Sequence, residues 1–197
     1  MRGALGIGLV ALILTVGCGQ PPQQDVDATK AALEAARGKD AATYAPEQMK
    51  AAEDAYQDLQ AEMDAQASKF PLLRNYKVAQ EKATAAKQAA DRASTSAEQG
   101  MEMAKQQSAT SITEGKQMLQ DTTALLAKAP KGKGSAMDLA ALKTDLDGAG
   151  ANLMEADSLV AQQKYKDAMT KADAAKTAIA GVKQQLDDAM AKAHPTK

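Results

Sequence analysis

The chain has no tryptophan, one phenylalanine, one histidine and one cysteine in 197 residues. So few rings leave little on which bases could stack, and no basic patch stands out, so nucleic acid is not an expected partner. One His and one Cys are too few for a zinc site. The histidine, His194, sits beside Pro195 near the end, where a solvated side chain is expected. No strand-like alternation of apolar and polar residues appears, so no glycine-rich phosphate loop can follow a strand. The stretch Lys131-Gly132-Lys133-Gly134 reads as a flexible basic loop. No acid, base or nucleophile set can be assembled, so neither catalysis nor a cofactor or metal is expected.

What the chain has in abundance is alanine. Much of its 45% hydrophobic fraction is alanine, which favours helix strongly but buries little area. Long helices with thin cores follow. Asp and Glu fall mainly on the exposed faces of the expected helices, interleaved with Lys, as in EQMKAAEDAYQDLQAEMDAQ from 47 to 66. That pattern fits solvated faces with i,i+4 pairing.

The lone cysteine has a specific setting. Arg2 is the only charge before an apolar run from Ala4 to Val16. That is the layout of a secretory signal, and the run is too short for a permanent span. Thr15-Val16-Gly17-Cys18 then resembles a bacterial lipobox, with Thr15 where leucine is usual and Leu14 one place early. The resemblance implies cleavage between Gly17 and Cys18 and acylation of the Cys18 thiol and amine. Several acyl chains anchor stably, at ~0.8 kcal/mol per buried CH₂. Gly19 rather than Asp follows the cysteine, which resembles the pattern sorted to the outer membrane. Residues 18–28, rich in Gln, Pro and Asp, read as an extended tether after residues 1–17 are removed. Without Arg2 the chain carries 23 basic and 25 acidic side chains.

Apolar residues then recur in steps of three and four. Met49, Ala52, Tyr56, Leu59, Met63, Gln66 and Phe70 line one seam; Tyr76, Ala79, Ala83, Ala86, Ala90, Ala93 and Ala97 line a second. Leu139, Leu142, Leu146, Ala149, Leu153, Ala156 and Val160 repeat the first at an offset of 90, and Tyr165, Ala168, Ala172, Ala175, Ile179, Val182 and Leu186 repeat the second at 89. YKVAQEKATAAKQA (76–89) and YKDAMTKADAAKTA (165–178) share nine of fourteen residues. The expected fold is all-α: long antiparallel helices in which a duplicated αα-hairpin forms an elongated helical bundle or coiled coil. The first hairpin spans 29–97 and the second 136–194.

The punctuation agrees. Pro46 suits a first helical turn. KFPLLRN (69–75) turns around Pro71. Pro130, Gly132 and Gly134 break the chain before a capping-box-like Ser135-x-x-Asp138. VAQQK (160–164) is a second corner with neither Pro nor Gly. Residues 98–135 form a helical extension and this loop. One long helix from 72 to 129 is favoured over a break near 108–111, with its far end packing on the second hairpin. The second seam carries Ile179, Val182 and Leu186 where the first has Ala90, Ala93 and Ala97, so the first hairpin is expected to be weaker and to need a partner surface.

Other candidates have plainer roles. The methionines sit in core registers and read as core filling. Tyr76 and Tyr165 open the second helix of each hairpin and are weak partner-contact candidates. Lys197 gives a lysine end like that of Braun-type wall-linked lipoproteins, without their Tyr-Arg-Lys ending.

Residues 36–93 also carry Ala45-Pro46 at a helix start and a Tyr-x-x-Ala-rich helix from Tyr76 to Ala93. They resemble the bacterial envelope family called domain of unknown function 4398, which implies a helical lipoprotein domain of the envelope and no chemistry. The expected function is a non-enzymatic helical spacer or adaptor, lipid-anchored at the outer membrane on its periplasmic side. Its candidate partners are an envelope protein, peptidoglycan or a second copy of the chain. The alternative is a carrier or chaperone-like protein for an apolar ligand or an unfolded envelope protein.

Overall fold

In the computed structural model, residues 20–129 and 139–193 are described. The leader, Gly17, Cys18, the basic loop with its capping box, Met137, His194 and Lys197 lie outside them. The elements are α1 (Gln23–Gly38), α2 (Ala41–Tyr44), α3 (Pro46–Ala67), a 3₁₀ turn (Pro71–Leu73), α4 (Lys77–Ala127), α5 (Leu139–Ala161) and α6 (Tyr165–Ala193). The fold is an all-α helical bundle. Its chain divides into two compact units, 1–97 and 98–197.

The first unit holds a helix that the tether reading did not foresee. Gln23 to Asp27 form the first turns of α1, so the extended stretch ends at Pro22. Pro22 needs no backbone N–H at a helix start. From there Val26, Thr29, Leu33 and Ala36 make a seam of their own, with Thr29, Leu33 and Ala36 buried. Val26 packs on Leu59, Tyr76, Ala79 and Ala83. Ala32, Leu33 and Ala36 pack with Ala45, Met49, Ala52, Ala90, Ala93 and Ala97. The start of α1 therefore lies by the end of α3 and the start of α4. Thus α1 and α4 run parallel, and α3 runs antiparallel to both. The alanine-lined hairpin finds in α1 the partner surface it needs.

The second unit repeats this arrangement. The later part of α4 supplies Ile112, Met118, Leu119, Leu125 and Leu126 to a core with Leu142, Leu146, Leu153, Ile179, Val182 and Leu186. Ser111–Asp173 and Glu114–Lys176 contacts set α4 parallel to α6, and the approaches of Gly115 to Leu153 and of Leu119 to Gly150 set it antiparallel to α5. The far end of α4 thus packs with the second hairpin as expected, and α4 is unbroken through 108–111. Hydroxyls that weaken a helix in isolation are satisfied here: Ser108 donates to Lys105 O at 2.9 Å, Thr113 to Ala109 O at 2.8 Å, and Ser111 to Asp173 Oδ1 at 2.6 Å. These bonds remove the competition that such side chains offer the helix.

Burial matches between the copies. Tyr76, Ala79, Ala83, Ala86, Ala90, Ala93 and Ala97 are buried, and so are all seven counterparts from Tyr165 to Leu186. In the preceding helix Ala52, Leu59 and Gln66 are buried, as are Leu142, Ala149 and Ala156, whereas Tyr56 and Met63 are half-buried where Leu146 and Leu153 are buried. Each unit is one helix followed by a hairpin, so the repeated element is larger than the hairpin.

Two seam assignments need correction. Phe70 is 67% exposed because α3 stops at Ala67. Met103 and Met154 are exposed at 57% and 68% rather than filling the core, while Met49 is buried.

Candidate functional site

The corner between α3 and α4 is the most unusual surface of the first unit. Phe70, Leu72 and Leu73 are 67%, 88% and 72% exposed, and Val78 is also exposed. Burying side chains of this kind is worth about 1.5–3 kcal/mol each, so leaving three side by side in water calls for a reason.

The corner is held by polar bonds. Gln66 is buried; its Oε1 accepts from the Asn75 backbone N–H and from Lys69 Nζ, both at 3.1 Å, and its Nε2 donates to Glu62 at 2.7 Å. Arg74 donates from Nε to Lys69 O at 3.0 Å and from its guanidinium to Ala67 O at 2.8 Å. Those carbonyls lie at and just past the end of α3, where no helical N–H remains to pair them. The Asn75 side chain accepts from Lys77 N at 3.0 Å and opens α4. The backbone is thus fixed by bonds that do not involve the apolar side chains.

Its turn sequence is basic. Residues 65–80 contain Lys69, Arg74 and Lys77 and no Asp or Glu. The duplicated corner differs at the same places. Val160 and Ala161 stay in α5, and Gln162, Gln163 and Lys164 make the turn. The second turn is shorter and carries no apolar residue.

In the second unit a shallow groove of about 520 Å³ opens between α5 and α6, with Thr144, Gly148, Asn152, Thr177, Gly181 and Gln185 among its lining. The repeat offsets put Asp54, Asp58, Glu62 and Arg92 of the first unit where Thr144, Gly148, Asn152 and Gly181 line this groove. The two units share an interior and differ outside.

Neither sequence-chosen tyrosine is a surface contact. Tyr76 is 4% exposed and Tyr165 7%, and Tyr76 packs with Leu59, Ala79 and Ala83. A ring at the first position of the second helix closes the end of each hairpin seam, and that burial removes it from partner contact. Cys18, the lipidation candidate, lies outside the described residues. Among the described residues, no three of His, Cys, Asp and Glu gather where they could hold a metal ion, and no helix is long and apolar enough to cross a membrane. Sequence reasoning placed Phe70 on a seam because it continues the helical spacing, and read Leu72 and Leu73 only as part of the turn.

Charge effects are those of surface pairs. Hydrogen bonding to Glu53 raises the Arg37 guanidinium, with Glu34 adding to it. The Lys176 ammonium is held above the ordinary lysine range, first by its hydrogen bond to Glu114.

Comparison of the chain with protein-family models, curated proteins and solved structures finds no match.

Proposed function

We propose that this chain is a non-enzymatic adaptor of the bacterial envelope, lipid-anchored through Cys18 at the outer membrane and facing the periplasm. It acts by offering helix faces to an envelope protein or the wall. The observation that carries the reading is the duplication with a common interior and unlike exteriors. Buried positions of the second helices of the two hairpins coincide, while the outer positions trade Asp54, Asp58, Glu62 and Arg92 for Thr144, Gly148, Asn152 and Gly181. A scaffold with two distinct docking surfaces needs that combination. A duplicated catalytic or carrier domain would be expected to repeat its outward-facing site as well. The lipobox-like Thr15-Val16-Gly17-Cys18 supports both the anchor and the compartment.

The test is cross-linking in intact cells with tagged protein, using Cys18→Ser as the control. The adaptor reading expects one envelope component captured by the wild-type chain and lost from the Cys18→Ser variant. A broad mixture, or self cross-links alone, would count against it.

A further inference from the structure

We infer that the α3–α4 corner is a second membrane contact, in which Phe70, Leu72 and Leu73 enter the interfacial layer of an anionic bilayer. This rests on the proposed anchor at Cys18. Three observations lead to it.

The first is the exposure of three large apolar side chains on a corner whose backbone is fixed by Gln66 and Arg74. The fixed backbone keeps the side chains displayed, so no loop refolding is needed before they insert. The second is charge. Lys69, Arg74 and Lys77 flank the apolar residues in sequence, and no acidic residue occurs from 65 to 80, with Asp64 and Glu81 bounding that stretch and Glu62 bonded to Gln66. Cations beside an apolar wedge match phosphate headgroups above acyl chains. The third is position. The described chain begins at Gln20, and Val26 packs against Tyr76, Leu59, Ala79 and Ala83. The chain therefore enters the first unit at the end that carries the corner, so an acyl group on Cys18 would hold that same end against its membrane. The second copy joins its hairpin helices through Gln162, Gln163 and Lys164, so linking two such helices does not require exposed apolar residues.

The chain has no tryptophan, so Phe70→Trp supplies a single depth probe. The full chain with Phe70→Trp is purified from bacterial membranes and mixed with vesicles of phosphatidylethanolamine and phosphatidylglycerol carrying brominated acyl chains. Expected are blue-shifted emission and quenching by the bromines, neither of which Gln162→Trp shows. Adding Leu72→Gln and Leu73→Gln should weaken partitioning of the Cys18→Ser chain by about tenfold or more. Both residues are exposed, so that loss is not one of folding. Partitioning should also fall on vesicles without phosphatidylglycerol. Water-like, unquenched emission from vesicle-bound chain overturns the inference. So does an indole at position 70 that is shielded only in native envelopes and not by lipid, which would assign the corner to a protein. The mass of the purified chain reads acylation separately. A chain without acyl groups ends the anchor reading, and quenching on anionic vesicles still decides the corner.

Discussion

Gly115 lies against Leu153. A Cβ at position 115 would stand 2.7 Å from Leu153 Cδ2 and 3.4 Å from Lys176 Cγ. Leu153 is only 2% exposed, so it has little room to retreat. The glycine lets α4 approach α5 closely in the middle of the second unit. Gly148, on the facing helix, meets nothing within 4 Å of a built Cβ.

The two glycines should therefore respond oppositely to alanine. Gly148→Ala gains helix propensity, about 0.8–1 kcal/mol. Gly115→Ala gains the same but overpacks, at a cost of about 1–3 kcal/mol. Thermal or urea melts should show Gly148→Ala raising stability and Gly115→Ala lowering it or leaving it level. A rise for Gly115→Ala equal to that for Gly148→Ala would contradict the close approach.

The first unit should depend on α1. Leu33 is 2% exposed and packs among alanines of α3 and α4. Leu33→Ala should cost about 2–5 kcal/mol. Amide exchange should quicken across 46–97 and stay unchanged across 139–190. In the wild type, exchange should already be faster in 46–97, where Ala90, Ala93 and Ala97 bury less than Ile179, Val182 and Leu186. Uniform protection along both segments would refute this.

Particular residues show why some of this was legible beforehand. The two hairpins announce themselves because their seams run without interruption for seven positions, and the repeat carries the same register twice. The α1 seam has only Val26 and Leu33 as large apolar members, with Thr29 between them. It also begins in a Pro/Gln-rich stretch, so composition points to a tether. Thr29 is usable in a core because its hydroxyl donates to Asp25 O at 2.8 Å and reaches Ala83 O at 3.1 Å, which no periodicity reveals. Phe70 continues the spacing of its seam, yet α3 ends three residues earlier. The helix stops because Pro71 has no N–H to offer the Ala67 carbonyl, which accepts from Arg74 instead.

The second corner turns by another device. Gln163 has φ 62°, Lys164 N donates to Leu159 O at 2.9 Å, and Gln163 N donates to Val160 O at 3.0 Å. This is the Schellman pattern, in which glycine usually takes the left-handed position. Gln163→Gly should stabilise the chain by about 1 kcal/mol in a denaturant melt, since the side chain there costs roughly 1–2 kcal/mol. A loss of stability would mean that the Gln163 side chain matters more than its backbone.

The Lys176–Glu114 pair gives a pH test. Its Nζ–Oε distance is 2.6 Å, and the lysine side chain is 28% exposed. The folded state holds this ammonium above its ordinary range, mainly through that hydrogen bond. A raised folded pKa contributes stability below the unfolded value and loses it as pH rises through the folded one. The contribution is therefore constant from neutral pH to mild alkali and disappears only in strong alkali. Glu114→Gln should cost below about 1 kcal/mol at neutral pH and should flatten the alkaline limb of a stability profile. An unchanged alkaline limb would show that the pair adds nothing.

Gln66 separates fold from display. The second copy has Ala156 at this seam position, so alanine fits the register. In the first copy, however, Gln66 Oε1 accepts from Asn75 N at 3.1 Å. Gln66→Ala leaves that N–H without its partner, at a cost of about 1–3 kcal/mol, but creates no large cavity among the alanines. The damage should be local: faster exchange and proteolysis at 68–76, with the rest of α3 and α4 protected as before. Membrane insertion by Phe70, Leu72 and Leu73 should weaken as well, because a loosened corner must be ordered at the bilayer before it can enter. If the corner frays while vesicle binding holds at the wild-type level, fixed display is not what the bilayer requires, and the apolar side chains act by composition alone.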